Sequence, residues 1–93
     1  MDIGFVWDED KYQKVVKEHN VKFYEVVSSF DDPDGFDMPH PVFEGRWIWL
    51  GHTVDNRLLA VIYSDEDSPL CRLITAFDAE GALLDEYNQR RRV

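Results

Sequence analysis

The chain has 93 residues, of which 44% are hydrophobic and 14% aromatic, a content that suits one folded domain and excludes intrinsic disorder. Its net charge of −9 repels polyanions at long range, so contact with nucleic acid requires a local cluster of basic side chains, and the bulk charge favours a basic protein partner. No apolar run reaches the roughly 18 residues of a membrane span, and the single cysteine, Cys71, leaves no internal disulfide and favours a reducing cytoplasm.

Two short amphipathic helices are predicted after a β-prone segment at residues 3–7. Asp8 is expected to cap the first helix, because its side-chain oxygen accepts hydrogen bonds from the free N–H groups of the first turn. Asn20 is expected to end that helix, since asparagine tolerates the left-handed conformation. Apolar side chains at helical spacing predict the buried faces of the two helices: Tyr12, Val15, Val16 and His19 in the first, and Phe23, Val26, Val27 and Phe30 in the second.

Residues 31–41 hold four aspartates, three prolines and one glycine, which predicts an irregular acidic loop. A calcium-binding loop is the alternative, but the spacing lacks the EF-hand pattern and its closing glutamate. Three strands are predicted after this loop, at residues 46–50, 58–63 and 72–77. The turns between them are short and therefore favour an antiparallel meander.

A last helix is predicted to begin with Asp78 as its N-cap and to bury Ala79, Leu83 and Tyr87. Arg90, Arg91 and Arg92 suit the negative end of its dipole. The resulting order, β-α-α-β-β-β-α, predicts an α+β fold in which helices cover an antiparallel sheet. Residues 1–93 are expected to form a single domain, because the sequence contains neither an internal repeat nor a linker.

A series of short motifs resembles one protein family in the order and spacing of its parts. The resemblance is to the BrnT toxins, a branch of the RelE-like ribonuclease toxins of type II toxin–antitoxin systems, and it covers nearly the whole chain. The matching motifs are Phe5-Val6-Trp7-Asp8, Glu18-His19-Asn20-Val21-Lys22-Phe23, Phe30-Asp31-Asp32-Pro33, Glu44-Gly45-Arg46-Trp47-Ile48, Leu50-Gly51, Arg57-Leu58-Leu59-Ala60-Val61-Ile62-Tyr63, Arg72-Leu73-Ile74-Thr75-Ala76 and Tyr87.

The resemblance implies a RelE-like fold and a cytoplasmic, bacterial endoribonuclease that works without a metal ion or another cofactor. In this chemistry the 2′-OH of the RNA attacks the neighbouring phosphate, and the protein supplies a cation, a proton acceptor and a proton donor. The resemblance also implies a cognate antitoxin as protein partner, RNA as substrate and no membrane association. A homodimer and a toxin–antitoxin hetero-oligomer both remain open.

Six residues are candidates for the catalytic site that the resemblance implies. Arg46, Arg57 and Arg72 lie on or beside predicted strands, where the family places basic residues. His52 follows a strand, and histidine titrates near neutral pH and so suits proton transfer. Tyr63 and Tyr87 carry hydroxyls that can donate hydrogen bonds or a proton. Each residue also has a structural interpretation: strand arginines pair with carboxylates, a histidine near a turn lies on the surface, and tyrosines pack in cores.

The resemblance breaks in the last third of the chain. Where the family has an arginine followed by a second basic residue, this chain has Phe77 and Asp78, and where the family has a glutamate it has Leu83. Losing a cation that contacts a phosphorane costs orders of magnitude in rate. The sequence therefore supports two hypotheses, an active or attenuated ribonuclease toxin and a degenerate binding module that retains the antitoxin-binding surface. An acidic mimic of nucleic acid is a third, against which the resemblance argues.

Overall fold

The computed structural model describes residues 4–91 and confirms the α+β class. Its elements follow the chain as β1 (Phe5–Trp7), α1 (Glu9–His19), α2 (Phe23–Ser29), β2 (Phe36–Pro39), β3 (Arg46–His52), β4 (Leu58–Ser64), β5 (Cys71–Asp78) and α3 (Ala82–Arg91). Among these residues, no helix is both long enough and apolar enough to cross a bilayer.

The sheet differs from the prediction in two details. Its strand order is β1-β5-β4-β3-β2, and β1 runs parallel to β5 whereas the other pairs are antiparallel, so the sheet is mixed. The additional strand, β2, lies in the segment predicted as an irregular loop. It pairs with β3 from Phe36 to Pro39 at the sheet edge, where a proline that lacks an N–H costs no ladder hydrogen bond.

Helices cover both faces of the sheet, and each face has its own core. The α1/α2 face buries residues from those helices against alternate strand positions: Val15, Val21, Val26, Leu59, Val61, Leu73 and Ala76. The opposite face, called the α3 face below, buries Ile48, Leu50, Ala60, Ile62, Ala79 and Tyr87. Because successive strand residues point to opposite faces, the position of a residue along its strand decides which of the two surfaces its side chain reaches.

The ends of α1 follow the prediction, and its buried face is shorter than predicted. Asp8 accepts from the backbone N–H groups of Asp10 and Lys11, and Asn20 has φ = 52°. Val15 is buried as predicted, but His19 is exposed, and its ring lies 5.9 Å from that of Phe77, between ring centres.

The last helix begins later than predicted. Asp78 is the final residue of β5 rather than a helix N-cap, and α3 starts only at Ala82. Gly81 intervenes with φ = 57°, a left-handed conformation that separates the strand from the helix. Tyr87 and Ala79 are buried as predicted, and Leu83 packs against the same core while remaining half-buried.

Gly51 marks the place where α2 lies directly on β3. A Cβ at this position would overlap the Ser29 carbonyl oxygen at the end of α2, to which the Trp49 indole N–H donates at 3.2 Å. We therefore expect Gly51→Ala to lower the free energy of unfolding by about 2 kcal/mol, since backbone must move to admit the methyl group. Urea denaturation measures this change, and Glu80→Ala in the exposed β5–α3 loop is the control, expected to stay within about 0.5 kcal/mol. A Gly51→Ala protein as stable as the control would contradict the close approach.

Candidate active site

Arg57 is held on the α1/α2 face, opposite to Arg46, Arg72, His52 and Tyr87. Its guanidinium binds both carboxylate oxygens of Asp78, donates to Glu25 Oε2 at 3.1 Å, and donates to the backbone carbonyls of His19 and Asn20 at 3.0 and 2.8 Å. The hydrogen bonds with Asp78 are the main reason that the pKa of Arg57 is raised; burial opposes this effect. Arg57 in turn lowers the pKa of Asp78. Two carboxylates thus neutralise Arg57, which joins the end of α1 to α2 and β5.

Arg46 and Arg72 lie together on the α3 face at one end of the sheet. Both residues are paired in register with Ser64 of β4, one from each side, which puts their Cα atoms about 10 Å apart at the usual strand spacing. Arg72 forms ion pairs with Asp67 and Glu66, and the Arg46 guanidinium carbon lies 4.4 Å from the centre of the Phe43 ring. The carboxylates therefore neutralise Arg72 as they do Arg57.

Tyr63 points to the α1/α2 face and donates its hydroxyl hydrogen to Asp37 Oδ2 at 2.8 Å. Burial and this acidic neighbour raise the pKa of Tyr63 well above its ordinary value. A phenol with a raised pKa holds its proton more tightly, so Tyr63 is a poor proton donor. The structure does not bring it together with His52, which lies on the other face.

Two of the six candidates, His52 and Tyr87, do meet. His52 ends β3 on the α3 face, and its Nδ1 atom lies 2.9 Å from the Tyr87 hydroxyl on α3. The hydroxyl donates at 2.6 Å to Asp32 Oδ2, which also accepts the backbone N–H of His52 at 2.7 Å. The Asp32 side chain is only 7% exposed. We call these three residues the Asp32–Tyr87–His52 cluster.

The hydrogen bonds of the cluster assign its protons. The Tyr87 hydroxyl has one hydrogen and gives it to Asp32, so its oxygen accepts from His52 Nδ1–H. Nε2 of the neutral imidazole then carries a lone pair. If Nε2 takes up a proton, the imidazole becomes a cation. The Asp32 carboxylate stabilises this cation, because Asp32 Oδ2 lies 3.5 Å from His52 Nδ1. The cluster can therefore hold His52 as an oriented base.

Asp32 stays ionised although it is largely buried. Burial raises the pKa of its carboxyl group, but the hydrogen bonds from Tyr87, from the backbone of His52 and from the backbone of Asp34 outweigh that effect and lower it. The sequence placed Asp32 among the solvated aspartates of the acidic loop. The one signal of a different role was its position in the motif Phe30-Asp31-Asp32-Pro33.

A cleft of about 390 Å³ opens beside the cluster and is lined by Ser28, Asp31, Asp32, Pro33, His52, Thr53 and Val54. Arg90 lies on α3, one helical turn from Tyr87. Its guanidinium carbon lies 4.1 Å from the centre of the Phe36 ring, which stacks on Tyr87 with a 6.2 Å separation of ring centres. Glu86 pairs with Arg90 at 3.2 Å, in an exposed contact that water screens. Arg90 thus supplies positive charge on the same face as His52.

Comparison with known proteins identifies related sequences and folds. A family model described as a ribonuclease toxin, BrnT, of type II toxin–antitoxin systems matches residues 7–81. The crystal structure of the Brucella abortus ribonuclease toxin BrnT is 20% identical in sequence, covers 86% of this chain and 100% of its own, and superposes with a TM-score of 0.67. At that identity the likeness shows the fold. No curated protein matches the sequence.

We expect Arg57→Met to lower the free energy of unfolding by about 2 to 4 kcal/mol, because the substitution leaves the buried carboxylate of Glu25 without its cation. Arg46→Met is the matched control, expected to cost within about 1 kcal/mol, since Arg46 stacks on an exposed ring. Urea denaturation of both variants makes the comparison. An Arg57→Met protein no less stable than Arg46→Met would refute the structural role.

The lowered pKa of Asp32 predicts how the stability of the protein depends on pH. A carboxyl group whose pKa is lower in the folded state stabilises the fold above its unfolded pKa, near 3.8, and loses that contribution as the pH falls through the folded value. Below about pH 5, where the carboxyl group begins to take up its proton, the stability difference between the native protein and Asp32→Asn should therefore shrink as the pH falls. Denaturant titrations from neutral to acidic pH measure it. A difference that stays constant or grows below about pH 5 would contradict this assignment.

Proposed function

The chain belongs to the BrnT family of ribonuclease toxins of type II toxin–antitoxin systems, and on this basis we propose that it is an attenuated, metal-independent endoribonuclease whose site is the Asp32–Tyr87–His52 cluster. The observation that carries the proposal is the oriented imidazole: Nδ1 is bound by Tyr87, which leaves Nε2 as the basic atom, and His52 lines an open cleft. A general base within reach of a 2′-OH is what the reaction requires of the protein.

The reaction begins when His52 Nε2 takes the proton of a 2′-OH. The 2′ oxygen then bonds to the adjacent phosphorus, and the bond from phosphorus to the 5′ oxygen breaks. The proton held on His52 returns to that leaving oxygen, which leaves a 2′,3′-cyclic phosphate and a 5′-OH, so that protons and charge balance. Asp32 and Tyr87 act as positioning residues, because they hold the imidazole and stabilise its cationic form.

Arg90 is the proposed cation for the phosphorane. It lies on the same face of α3 as Tyr87, and its present partner is one exposed carboxylate. Two observations support attenuation. Carboxylates neutralise Arg57 and Arg72, and Phe77 and Asp78 stand where the resemblance leads us to expect a basic pair. Losing a single hydrogen-bond donor at a developing oxyanion typically costs about 100- to 1000-fold in rate.

A protein antitoxin is the partner that membership in a type II system implies, and RNA is the implied substrate. The net charge of −9 favours a basic segment of that antitoxin as the contacting region. The second candidate function is a binding module that retains the antitoxin surface without catalysis. The neutralisation of Arg57 and Arg72 supports this alternative, since both were candidates for contacting phosphate.

The test is cleavage of an end-labelled RNA of mixed sequence by the antitoxin-free protein in EDTA. We expect products that end in 2′,3′-cyclic phosphate, and His52→Gln should slow their formation by about 100-fold or more, the usual loss when a general base is removed. His19→Gln is the matched control, because this exposed histidine lies on α1 outside the site.

Arg72→Ala distinguishes the cluster from the arginine set predicted from sequence. If the Arg72→Ala protein still cleaves RNA, the result supports a site at His52. If Arg72→Ala abolishes cleavage while the His52→Gln protein remains active, the site lies at the other end of the sheet. Equal cleavage by all variants would indicate a contaminating nuclease and sink the assignment. A lack of cleavage by the native protein would favour the binding module.

A further inference from the structure

A short loop at residues 40–45, between β2 and β3, presents an aromatic side chain to solvent. Phe43 is 51% exposed, which is unusual for a phenylalanine. Hydrogen bonds within the loop hold its backbone in place. His40 Nδ1 accepts the backbone N–H groups of both Val42 and Phe43 at 3.1 Å. The backbone N–H of His40 donates to the backbone carbonyl of Arg46, and the backbone N–H of Arg46 donates to the backbone carbonyl of Phe43. These hydrogen bonds hold both ends of the loop.

This loop borders a cavity of about 590 Å³, larger than the cleft beside His52. Residues from both faces of the sheet line it, and they include polar as well as aromatic side chains. The lining residues used below are His40, Phe43, Glu44, Arg46, Trp47 and Asp65. The Trp47 indole N–H donates to Asp65 Oδ2 at 3.2 Å, which links two of the lining residues.

Arg46 and Phe43 form a stacking pair at the cavity mouth. The guanidinium carbon of Arg46 lies 4.4 Å from the ring centre, and within residues 4–91 no carboxylate forms an ion pair with it. Exposed aromatic rings and guanidinium planes are the two surfaces on which proteins stack unpaired nucleobases. A free cation beside them also suits the phosphate that accompanies a base.

Hydrogen-bonding groups in the cavity select among the bases. Because His40 Nδ1 is an acceptor, its Nε2 carries the hydrogen and is a donor. Glu44 supplies two carboxylate oxygens, and among the described side chains it has no ion-pair partner. Guanine presents an acceptor, O6, next to two donors, N1–H and the 2-amino group. It therefore offers an acceptor for the His40 donor and two donors for the Glu44 carboxylate, a combination that adenine, cytosine and uracil lack.

We propose that the cavity at the residue 40–45 loop binds a guanine base of single-stranded RNA, stacked on the Arg46–Phe43 pair and read by His40 and Glu44. The inference rests on the proposed function, since the base would belong to the RNA substrate. Arg46 and His52 project from the same face of β3, six residues apart, which is about 20 Å at the usual rise of a strand. The guanine would therefore lie a few nucleotides from the scissile bond.

The test measures binding without cleavage, so it stands apart from the ribonuclease assay. GMP, AMP, CMP and UMP are titrated into the native protein, and the Trp47 indole N–H resonance is followed by NMR, assigned with Trp47→Phe. We expect GMP to shift this resonance at the lowest concentration of the four. Phe43→Ala should weaken GMP binding about fivefold or more, the low end of base–aromatic stacking. Glu44→Gln should remove the preference for GMP while retaining the fold.

Tyr24→Ala is the matched control, because Tyr24 is an aromatic residue exposed on α2 and 55% accessible. Unchanged GMP binding in this variant supports the site. The proposal is overturned if no nucleotide shifts the Trp47 resonance, if the four nucleotides bind equally, or if Phe43→Ala binds GMP as the native protein does. A native protein that cleaves RNA but fails this titration would leave the proposed function in place without the guanine site.

Discussion

The buried carboxylate of Asp32 is the contact on which the candidate site depends. Its Oδ2 atom accepts hydrogen bonds from the end of β3 and from α3, so one oxygen ties together three segments that lie far apart in the sequence. The same two bonds orient the imidazole of His52 through the Tyr87 hydroxyl. Stability and chemistry therefore share one group, because the interactions that offset the cost of burying Asp32 are those that position the base.

The excess of carboxylates over cations explains why the candidate site is not built from the strand arginines that the sequence suggested. With 19 acidic and 10 basic residues, carboxylates outnumber cations, and two of the three strand arginines, Arg57 and Arg72, form ion pairs at short range, whereas Arg46 stacks on Phe43. A paired guanidinium is less available to a phosphate, since the competing carboxylate must first be displaced. The candidate site therefore rests on a histidine and a tyrosine held by one aspartate, with Arg90 as the proposed cation.

Local signals predicted most of the fold, and long-range pairing accounts for what they missed. The Asp8 cap and the left-handed Asn20 depend on neighbouring residues alone, and both were predictable. Strand β2 and the parallel placement of β1 depend on partners at β3 and β5, which local composition does not encode. In the site, the residue types of His52 and Tyr87 indicated chemistry. Asp32 became recognisable only when its partners, 20 and 55 residues away, were known.

Asp78 and Phe77, which depart from the pattern that the family resemblance implies, each have a structural role in this fold. Asp78 ends β5 on the α1/α2 face, where its two oxygens meet the guanidinium of Arg57, and Phe77 on the opposite side of the strand packs into the α3 core. A basic residue at position 78 would face Arg57 and repel it. Asp78 and Glu25 thus hold Arg57 as a link between α1, α2 and β5, and a guanidinium bound in this way is not free to bind a phosphate. The same ion pairs therefore occupy a candidate cation and join the helical layer to the sheet.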